Sequence, residues 1–218
     1  MLVRHFMTRR VVTIEETMVC RKALEFLHDN RIRRAPVLRY GKLFGIVSER
    51  DLLRVLPGTI AQIDSRAGIE AERLPVSRVM TTKLITLGPE EHLEDAGRKM
   101  LMHKIGGMPV IEKQQLVGFL TESDIFRAFT AMFATRGVLR VSLARMRREG
   151  LEPDLVRLVA DNGARLRGMI THERPGGEEL TVLRLSGGDR ERLLGALAEA
   201  DYSVLEYVDE RESDRDAA

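Results

Sequence analysis

The sequence has little of what several classes of protein require. Its 218 residues include one cysteine, no tryptophan and five histidines, so the chain cannot form an internal disulfide. No cysteine and histidine are spaced as zinc ligands. No apolar run approaches the roughly 18 residues of a membrane span, and residues 1–10 lack the apolar centre and cleavage site of a signal peptide. We therefore expect a soluble, cytoplasmic protein with no disulfide framework and no membrane contact.

Motifs of the common enzyme classes are also missing. The chain has no Gly-x-Ser-x-Gly elbow, no His-Glu-x-x-His pair, no Walker A loop and no Gly-x-Gly-x-x-Gly turn. Its histidines stand apart from any carboxylate or nucleophile at a diagnostic spacing. Cys20 lies on the apolar stripe of a predicted helix, which is typical of a buried core thiol. We predict that the protein is not an enzyme and has no catalytic residue, bound metal or resident cofactor.

The charge balance is ordinary, with one local exception. Charged residues make up 31% of the chain and the net charge is +2, which argues against bulk nucleic-acid binding. Basic residues are concentrated between Arg136 and Arg148, ahead of an acidic C-terminal tail. The simpler interpretation of this stretch is a solvated face. The alternative is a surface for nucleic acid, although few aromatic residues are available to stack on bases.

The strongest pattern is a tandem duplication. Met7-Thr8 recurs as Met80-Thr81, an offset of 80 − 7 = 73 residues, and Pro36-Val37 recurs at the same offset as Pro109-Val110. Apolar periodicity predicts the order β-α-β-β-α in each copy. A unit of about 55 residues is too small to be very stable alone. We therefore expect the two copies to complete one core around a pseudo-twofold axis, with two related clefts.

The duplication sets the expected domain boundaries. The first copy spans 1–57 and the second spans 76–133, with a linker at 58–75. A third domain is expected at 137–209, followed by a polar tail at 210–218.

Each copy carries the pattern Gly-x-x-[Ser/Thr]-x-x-Asp where a strand meets a helix. It runs from Gly45 to Asp51 in the first copy and from Gly118 to Asp124 in the second. One interpretation is a capping box, in which hydroxyl and carboxylate satisfy the helix N-terminus. The other is a ligand site, in which the carboxylate accepts from the two hydroxyls of a ribose and the hydroxyl and helix N-terminus face a phosphate. A carboxylate has enough lone pairs for both.

The duplicated unit resembles a pair of cystathionine-β-synthase (CBS) domains, a Bateman module, over residues 1–133. The matching features are Met-Thr, Pro-Val and Gly-x-x-[Ser/Thr]-x-x-Asp, each present twice. The resemblance implies an α+β fold and binding of AMP, ADP, ATP or S-adenosylmethionine between the repeats, with regulation as the output. Carried over by position, it implies ribose contacts from two carboxylates and further contacts from four hydroxyl residues: Asp51, Asp124, Ser48, Thr121, Thr13 and Thr86.

The two clefts are expected to differ in charge. The first copy carries Arg33, Arg34 and Arg50, whereas the second has Gly106, Gly107 and Ser123 at the equivalent positions. Guanidinium groups suit phosphate oxygens in bidentate geometry. We therefore expect a charged phosphate near these arginines, with Arg34 and Arg50 as contacts, and a less charged adenosine derivative elsewhere. Solvated arginines without a ligand are the alternative.

The C-terminal third follows a different pattern. Alternating and helical apolar spacings predict β-α-β-β-α-β, the order of a ferredoxin-like split βαβ unit. Behind a CBS pair, this order resembles an ACT domain, a small amino-acid-sensing module. Residues 144–154 lack the Asp-x-Pro-Gly-like turn of amino-acid-binding members. Pairing of its open edges in a homodimer is therefore the expected role.

A CBS pair followed by an ACT-like domain resembles the acetoin-utilisation B protein family. The resemblance implies a non-catalytic protein that senses an adenosine nucleotide and relays the signal through a dimeric ACT-like domain. It also implies a role in acetoin or energy metabolism, with an unidentified enzyme as a partner. Two alternatives remain open from the sequence. One is a nucleic-acid-binding regulator that uses the Arg136–Arg148 stretch, and the other is a structural dimer without a ligand.

Overall fold

The structure, a computed structural model, describes four stretches of the chain: 1–56, 73–132, 138–146 and 151–209. The chain divides into two units, Met1–Phe129 and Thr130–Ala218. Most of the expected linker at 58–75 and all of the expected tail at 210–218 lie outside the described residues.

The first copy of the repeat is a three-stranded sheet with two helices. Strand β1 (Ile14–Glu15) lies parallel to β2 (Arg34–Arg39), which pairs antiparallel with β3 (Lys42–Ser48). Helix α1 (Cys20–Asp29) connects β1 to β2, and α2 (Glu49–Leu53) follows β3 directly. Helix α1 forms as predicted because its apolar residues recur on one face, and four of them are buried: Cys20, Ala23, Leu24 and Leu27.

The second copy repeats this arrangement. Strand β4 (Gly107–Glu112) pairs antiparallel with β5 (Gln115–Thr121), preceded by α3 (Leu93–His103) and followed by α4 (Glu122–Met132). The first strand predicted here is reduced to one parallel bridge between Leu87 and Val110. Each copy therefore has the predicted element order, with its first strand shorter than expected.

The two copies exchange their first turns. Val3 and Met7, in and after a 3-10 turn at Val3–His5, belong to the hydrophobic core of the second copy. Val76 is buried in the core of the first copy, and Met80 packs against that core. Neither copy has a complete core without the other, which fits the expectation that a unit of this size is not stable alone.

Paired backbone hydrogen bonds fix this exchange at two equivalent places. Thr8 and Phe119 exchange N–H···O bonds of 2.9 and 3.0 Å, and Thr81 and Ile46 exchange bonds of 2.8 and 2.9 Å. The threonine of each Met-Thr pair is therefore held against a strand of the other copy.

The repeated glycine and methionine of the motifs are explained by the same junction. A Cβ added at Gly45 would lie 2.7 Å from Sδ of Met80, and one added at Gly118 would collide with Sδ of Met7. Such distances are below van der Waals contact, so a side chain at either position would displace the methionine of the other copy. The methionine of each copy packs where the glycine of the other leaves room.

The second unit is a four-stranded antiparallel sheet with two helices. Its elements are β6 (Leu139–Met146), α5 (Leu151–Asp161), β7 (Ala164–Glu173), β8 (Glu178–Gly187), α6 (Arg190–Glu199) and β9 (Ser203–Asp209). The sheet order is β7-β8-β6-β9, with every neighbour antiparallel. The predicted β-α-β-β-α-β order is present, and β7 and β9 are the edges of the sheet.

One face of this sheet is covered by the two helices. Leu143 and Leu183 of the sheet pack with Leu155 of α5 and Leu193 of α6, and all four are buried. Helix α6 begins at Arg190 because the carboxylate of Asp189 accepts from the N–H of Arg192 at 2.9 Å. None of the described helices in either unit is both long and apolar enough to cross a bilayer.

Candidate functional site

Two cavities lie at equivalent positions in the first unit. The larger, about 460 Å³, contains Ser48 and Asp51 and is called the Asp51 cavity. The smaller, about 320 Å³, contains Thr121 and Asp124 and is called the Asp124 cavity. Volumes of this order are typical of small-molecule sites. The duplicated motif therefore lines two cavities, as the sequence predicts.

Each cavity is built from both copies. The Asp51 cavity joins the motif of the first copy to residues of the second copy between Thr81 and Ile85. The Asp124 cavity joins the motif of the second copy to residues of the first copy between Thr8 and Val12. The exchange of the first turns brings these segments to the motifs. This crosswise construction was beyond the sequence analysis.

The first motif forms a capping box. Oδ2 of Asp51 accepts from the backbone N–H of Ser48 at 3.0 Å and from its hydroxyl at 2.6 Å. The N–H of Asp51 donates to the hydroxyl oxygen of Ser48 at 3.3 Å. These bonds fix the start of α2 and hold the half-buried carboxylate at the cavity wall.

The second motif has the same geometry. Oδ2 of Asp124 accepts from the N–H of Thr121 at 2.9 Å and from its hydroxyl at 2.6 Å. Asp124 is more deeply buried, with 7% of its surface exposed. Its other oxygen, Oδ1, lies 3.4 Å from Nη1 of Arg127. In both motifs Oδ2 is engaged by the cap, so a ligand hydroxyl would be accepted at Oδ1.

The arginines predicted for the first cleft border more than one cavity. Arg50 lines the Asp51 cavity only, whereas Arg33 and Arg34 line both cavities. The pKa of Arg34 is lowered, chiefly because burial disfavours its charged form. Arg33 and Arg34 of the first copy therefore border the cleft of the second copy as well, which the sequence alone does not decide.

Gly106 makes room for the guanidinium of Arg34. A Cβ added at Gly106 would lie 2.5 and 2.6 Å from the two Nη atoms of Arg34, and 2.7 Å from Oε2 of Glu122. The glycines of the second copy thus complement the arginines of the first, and the contrast seen in the sequence is one packing arrangement.

The cavities are also lined by basic residues that the sequence alone does not single out. Lys83 and Lys104 line the Asp51 cavity, and Arg10, Arg31 and Arg127 line the Asp124 cavity. The signal for two of them is their position immediately after a helix. Arg31 and Lys104 are equivalent in the repeat and have left-handed backbone, with φ of 54° and 53°. Glycine is favoured at such backbone angles, so a basic side chain at either position carries a backbone cost.

The hydroxyls predicted from the first strand lie elsewhere. Thr13 is half-buried and Thr86 is exposed, and neither is among the described residues that line the two cavities. The lining residues are instead the apolar pairs just before them, Val11-Val12 and Leu84-Ile85.

The walls of each cavity combine three kinds of surface. Aliphatic side chains such as Ile46, Leu84 and Ile85 offer an apolar surface for a flat ring. The carboxylate of Asp51 can accept from hydroxyls, and basic side chains such as Lys83 can bind an anion. The arrangement fits a nucleotide, with base, ribose and phosphate each matched by one kind of residue.

The CBS domain family model matches the chain twice, over residues 3–58 and 76–131. The protein MJ1225 of Methanocaldococcus jannaschii is 29% identical over 206 residues, which cover 90% of this chain and 68% of that protein. The match to its crystal structure covers 59% of this chain and 47% of the MJ1225 chain, with a TM-score of 0.53 and 23% identity. This is a likeness of fold alone.

Two further solved structures are similar over the first unit. The acetoin utilisation protein AcuB of Vibrio cholerae is 32% identical, with a TM-score of 0.52, covering 61% of this chain and 93% of that one. CBSX2 in complex with AMP is 26% identical, with a TM-score of 0.52, covering 61% of this chain and 98% of that one. The family match ends at residue 131, so the ACT-type assignment of the second unit stays a prediction.

Proposed function

Because the chain belongs to the CBS-domain family, we propose that it is a non-catalytic regulatory protein that senses an adenosine nucleotide in its two cavities. The observation that carries this proposal is the doubled site. The same hydroxyl and carboxylate, held by the same three hydrogen bonds, line both cavities opposite apolar and basic residues.

The proposed binding mode follows from the three kinds of wall. Oδ1 of Asp51 or Asp124 accepts from the ribose hydroxyls, and the adenine lies against Leu84-Ile85 or Val11-Val12. The phosphate lies toward the basic residues, where charge-assisted hydrogen bonds are strongest. CBSX2, whose crystal structure contains AMP, supports AMP as the first ligand to test. ADP, ATP and S-adenosylmethionine remain within the proposal.

We propose further that the second unit is an ACT-type domain through which the protein forms a homodimer and relays the nucleotide signal. Its β-α-β-β-α-β order and the unpaired edges of β7 and β9 within the described sheet support this role. A ligand shifts such an equilibrium only through a different affinity for the two states. Acetoin or energy metabolism, with an enzyme as partner, is the proposed setting, and the similarity to AcuB supports it.

The nucleic-acid alternative finds less support. Arg136, Arg147 and Arg148 lie outside the described residues. Arg140 and Arg145 are separated by an odd number of positions on β6, so they lie on opposite faces of the sheet. Arg145 is 15% exposed and its guanidinium lies 4.7 Å from the ring centre of Tyr202. The two arginines of the stretch that can be placed do not share one surface.

A thermal-shift series tests the proposal. AMP, ADP, ATP, S-adenosylmethionine, NAD and a panel of amino acids are compared with buffer alone. A ligand at a hundred times its Kd adds about 2.7 kcal/mol to stability, which should raise the Tm by several degrees. We expect a shift from an adenosine compound that is reduced in Asp51→Asn and in Asp124→Asn. No shift from any adenosine compound would overturn the proposal and favour the structural dimer.

A further inference from the structure

One pair of arginines borders both cavities. Arg33 and Arg34 line the Asp51 cavity and also the Asp124 cavity, as does Gly106. The second copy offers no matching pair, because glycines stand at 106 and 107. The two cavities, which are otherwise related by the repeat, therefore share one pair of guanidinium groups where a symmetric protein would have two.

Arg34 in particular contacts residues of both copies. It belongs to the first copy, yet its guanidinium lies against Gly106 and close to Glu122 of the second. Burial is the main cause of its lowered pKa, and the positive charges of Arg33 and Arg50 add to it, while the carboxylates of Glu122 and Asp51 oppose it. A half-buried cation in such surroundings is stabilised by an anion entering from either side.

The two cavities differ in the net charge of the residues that line only one of them. Among the described lining residues, the Asp51 cavity has three basic residues of its own and three acidic ones: Arg50, Lys83, Lys104, Glu49, Asp51 and Glu122. The Asp124 cavity has three basic residues of its own and one acidic one: Arg10, Arg31, Arg127 and Asp124. The Asp51 cavity is therefore balanced without the shared arginines, whereas the Asp124 cavity remains basic.

We propose that the two cavities bind phosphate-bearing nucleotides with negative cooperativity through the shared pair Arg33–Arg34. The Asp124 cavity fills first, since it is the more basic of the two. Its phosphate then neutralises the shared pair, and the Asp51 cavity is left with balanced charge and a weaker affinity for a second phosphate. An uncharged adenosine does not meet this penalty. The inference rests on the proposed function and adds a regulation of the same site.

Calorimetric titration of the full chain with AMP and, separately, with adenosine tests the coupling. Adenosine keeps the base and the ribose, so it controls for other differences between the cavities. We expect the ratio of the second Kd to the first to be about tenfold larger for AMP, because charges near a protein surface interact through a dielectric well below that of water. Raising NaCl to about 0.5 M should reduce the AMP ratio toward the adenosine ratio.

Single substitutions distinguish shared from private residues. Arg34→Ala should weaken the first AMP step by about tenfold, the usual effect of losing one charge-assisted hydrogen bond, and the second step by less, because the first phosphate has already neutralised the shared pair. The ratio of the two Kd values should therefore fall toward the adenosine ratio. Lys104→Ala should weaken only the second step, at the Asp51 cavity, and Arg31→Ala only the first, at the Asp124 cavity. None of the three should change adenosine binding more than about twofold. Arg98→Ala, an exposed residue outside both cavities, controls for the loss of one positive charge.

The outcomes separate the inference from the proposed function. Equal Kd ratios for AMP and adenosine would overturn the inference alone, as would a Kd ratio for AMP that Arg34→Ala leaves unchanged. A single binding site for both ligands would also overturn it. Failure of wild-type protein to bind either ligand would overturn the proposed function, and the inference with it. Unchanged Tm values of the unliganded variants confirm that each remains folded.

Discussion

Replacing Gly45 by alanine tests how closely the two copies are joined. Gly45 is buried on β3, opposite the first turn of the second copy. The added methyl group would lie 2.7 Å from Sδ and 3.1 Å from Cγ of Met80, and 3.1 Å from the carbonyl oxygen of Thr81. The end of the methionine can move, but the carbonyl is held by the paired hydrogen bonds between Thr81 and Ile46. The junction between the copies must widen to admit the methyl group.

Overpacking of this kind costs about 1–3 kcal/mol. For a unit of this size we expect the Tm to fall by about 3–10 °C. The measurement is thermal and urea unfolding of the full chain, followed by a probe of the first unit, because two units need not unfold in one step. Gly118→Ala, at the equivalent position, should cost less, because the three atoms nearest to its added Cβ all belong to the flexible side chain of Met7.

Gly195→Ala is the matched control. Gly195 lies inside α6 of the second unit, and a Cβ there would meet no described atom within 4 Å. The same substitution should therefore leave unfolding of the first unit unchanged and stabilise the second unit by about 0.5–1 kcal/mol, since alanine is the better helix former. The crosswise packing would be refuted if Gly45→Ala were as stable as wild type.

Three further predictions concern backbone, core and thiol. Arg31→Gly relieves a left-handed backbone and should raise stability by up to about 1 kcal/mol while weakening AMP binding. The control Tyr40→Gly, at a left-handed position (φ 51°) outside both cavities, should leave AMP affinity unchanged. Equal AMP affinities of Arg31→Gly and wild type in calorimetry would exclude Arg31 as a contact. Leu193→Ala should cost about 2–5 kcal/mol in urea unfolding, and a loss below about 1 kcal/mol would contradict its place in the core. Burial raises the pKa of the Cys20 thiol, so the native thiol should resist alkylation near pH 8, and rapid modification would contradict its burial. Because the unfolded thiol ionises first as pH rises past about 8.5, its contribution to stability should decline above that pH, and Cys20→Ala should remove this part of the profile.

Much of the fold could be predicted because the repeat is gapless. The offset of 73 residues aligns the apolar patterns of the two copies, each of which is weak alone. Local sequence signals then indicate where helices begin. The capping boxes at Ser48 and Thr121 place α2 and α4 within two residues of expectation, since hydroxyl and carboxylate at this spacing satisfy a helix N-terminus. The family model confirms the CBS pair. The strand order of the second unit is the order expected for a ferredoxin-like fold.

The crosswise arrangement could not be predicted, because it depends on contacts between residues far apart in the chain. Met7 and Gly118 are each unremarkable in their own copy, and only packing shows that one fits the other. For the same reason the sequence places Arg34 in the first copy without deciding which cavities it borders, and in the structure it borders two. The family resemblance implies contacts from Thr13 and Thr86, whereas the described residues that line the cavities are the apolar pairs just before them.

Photolabelling with 8-azido-AMP, followed by peptide mapping, tests the central claim most directly. If each cavity joins the motif of one copy to the first strand region of the other, Asp51→Asn should abolish labelling of residues 81–85 and spare residues 8–12. Asp124→Asn should do the reverse, and excess AMP should protect both peptides. Loss of labelling at 8–12 in Asp51→Asn, or labelling unaffected by either variant, would contradict a nucleotide site shared crosswise between the copies.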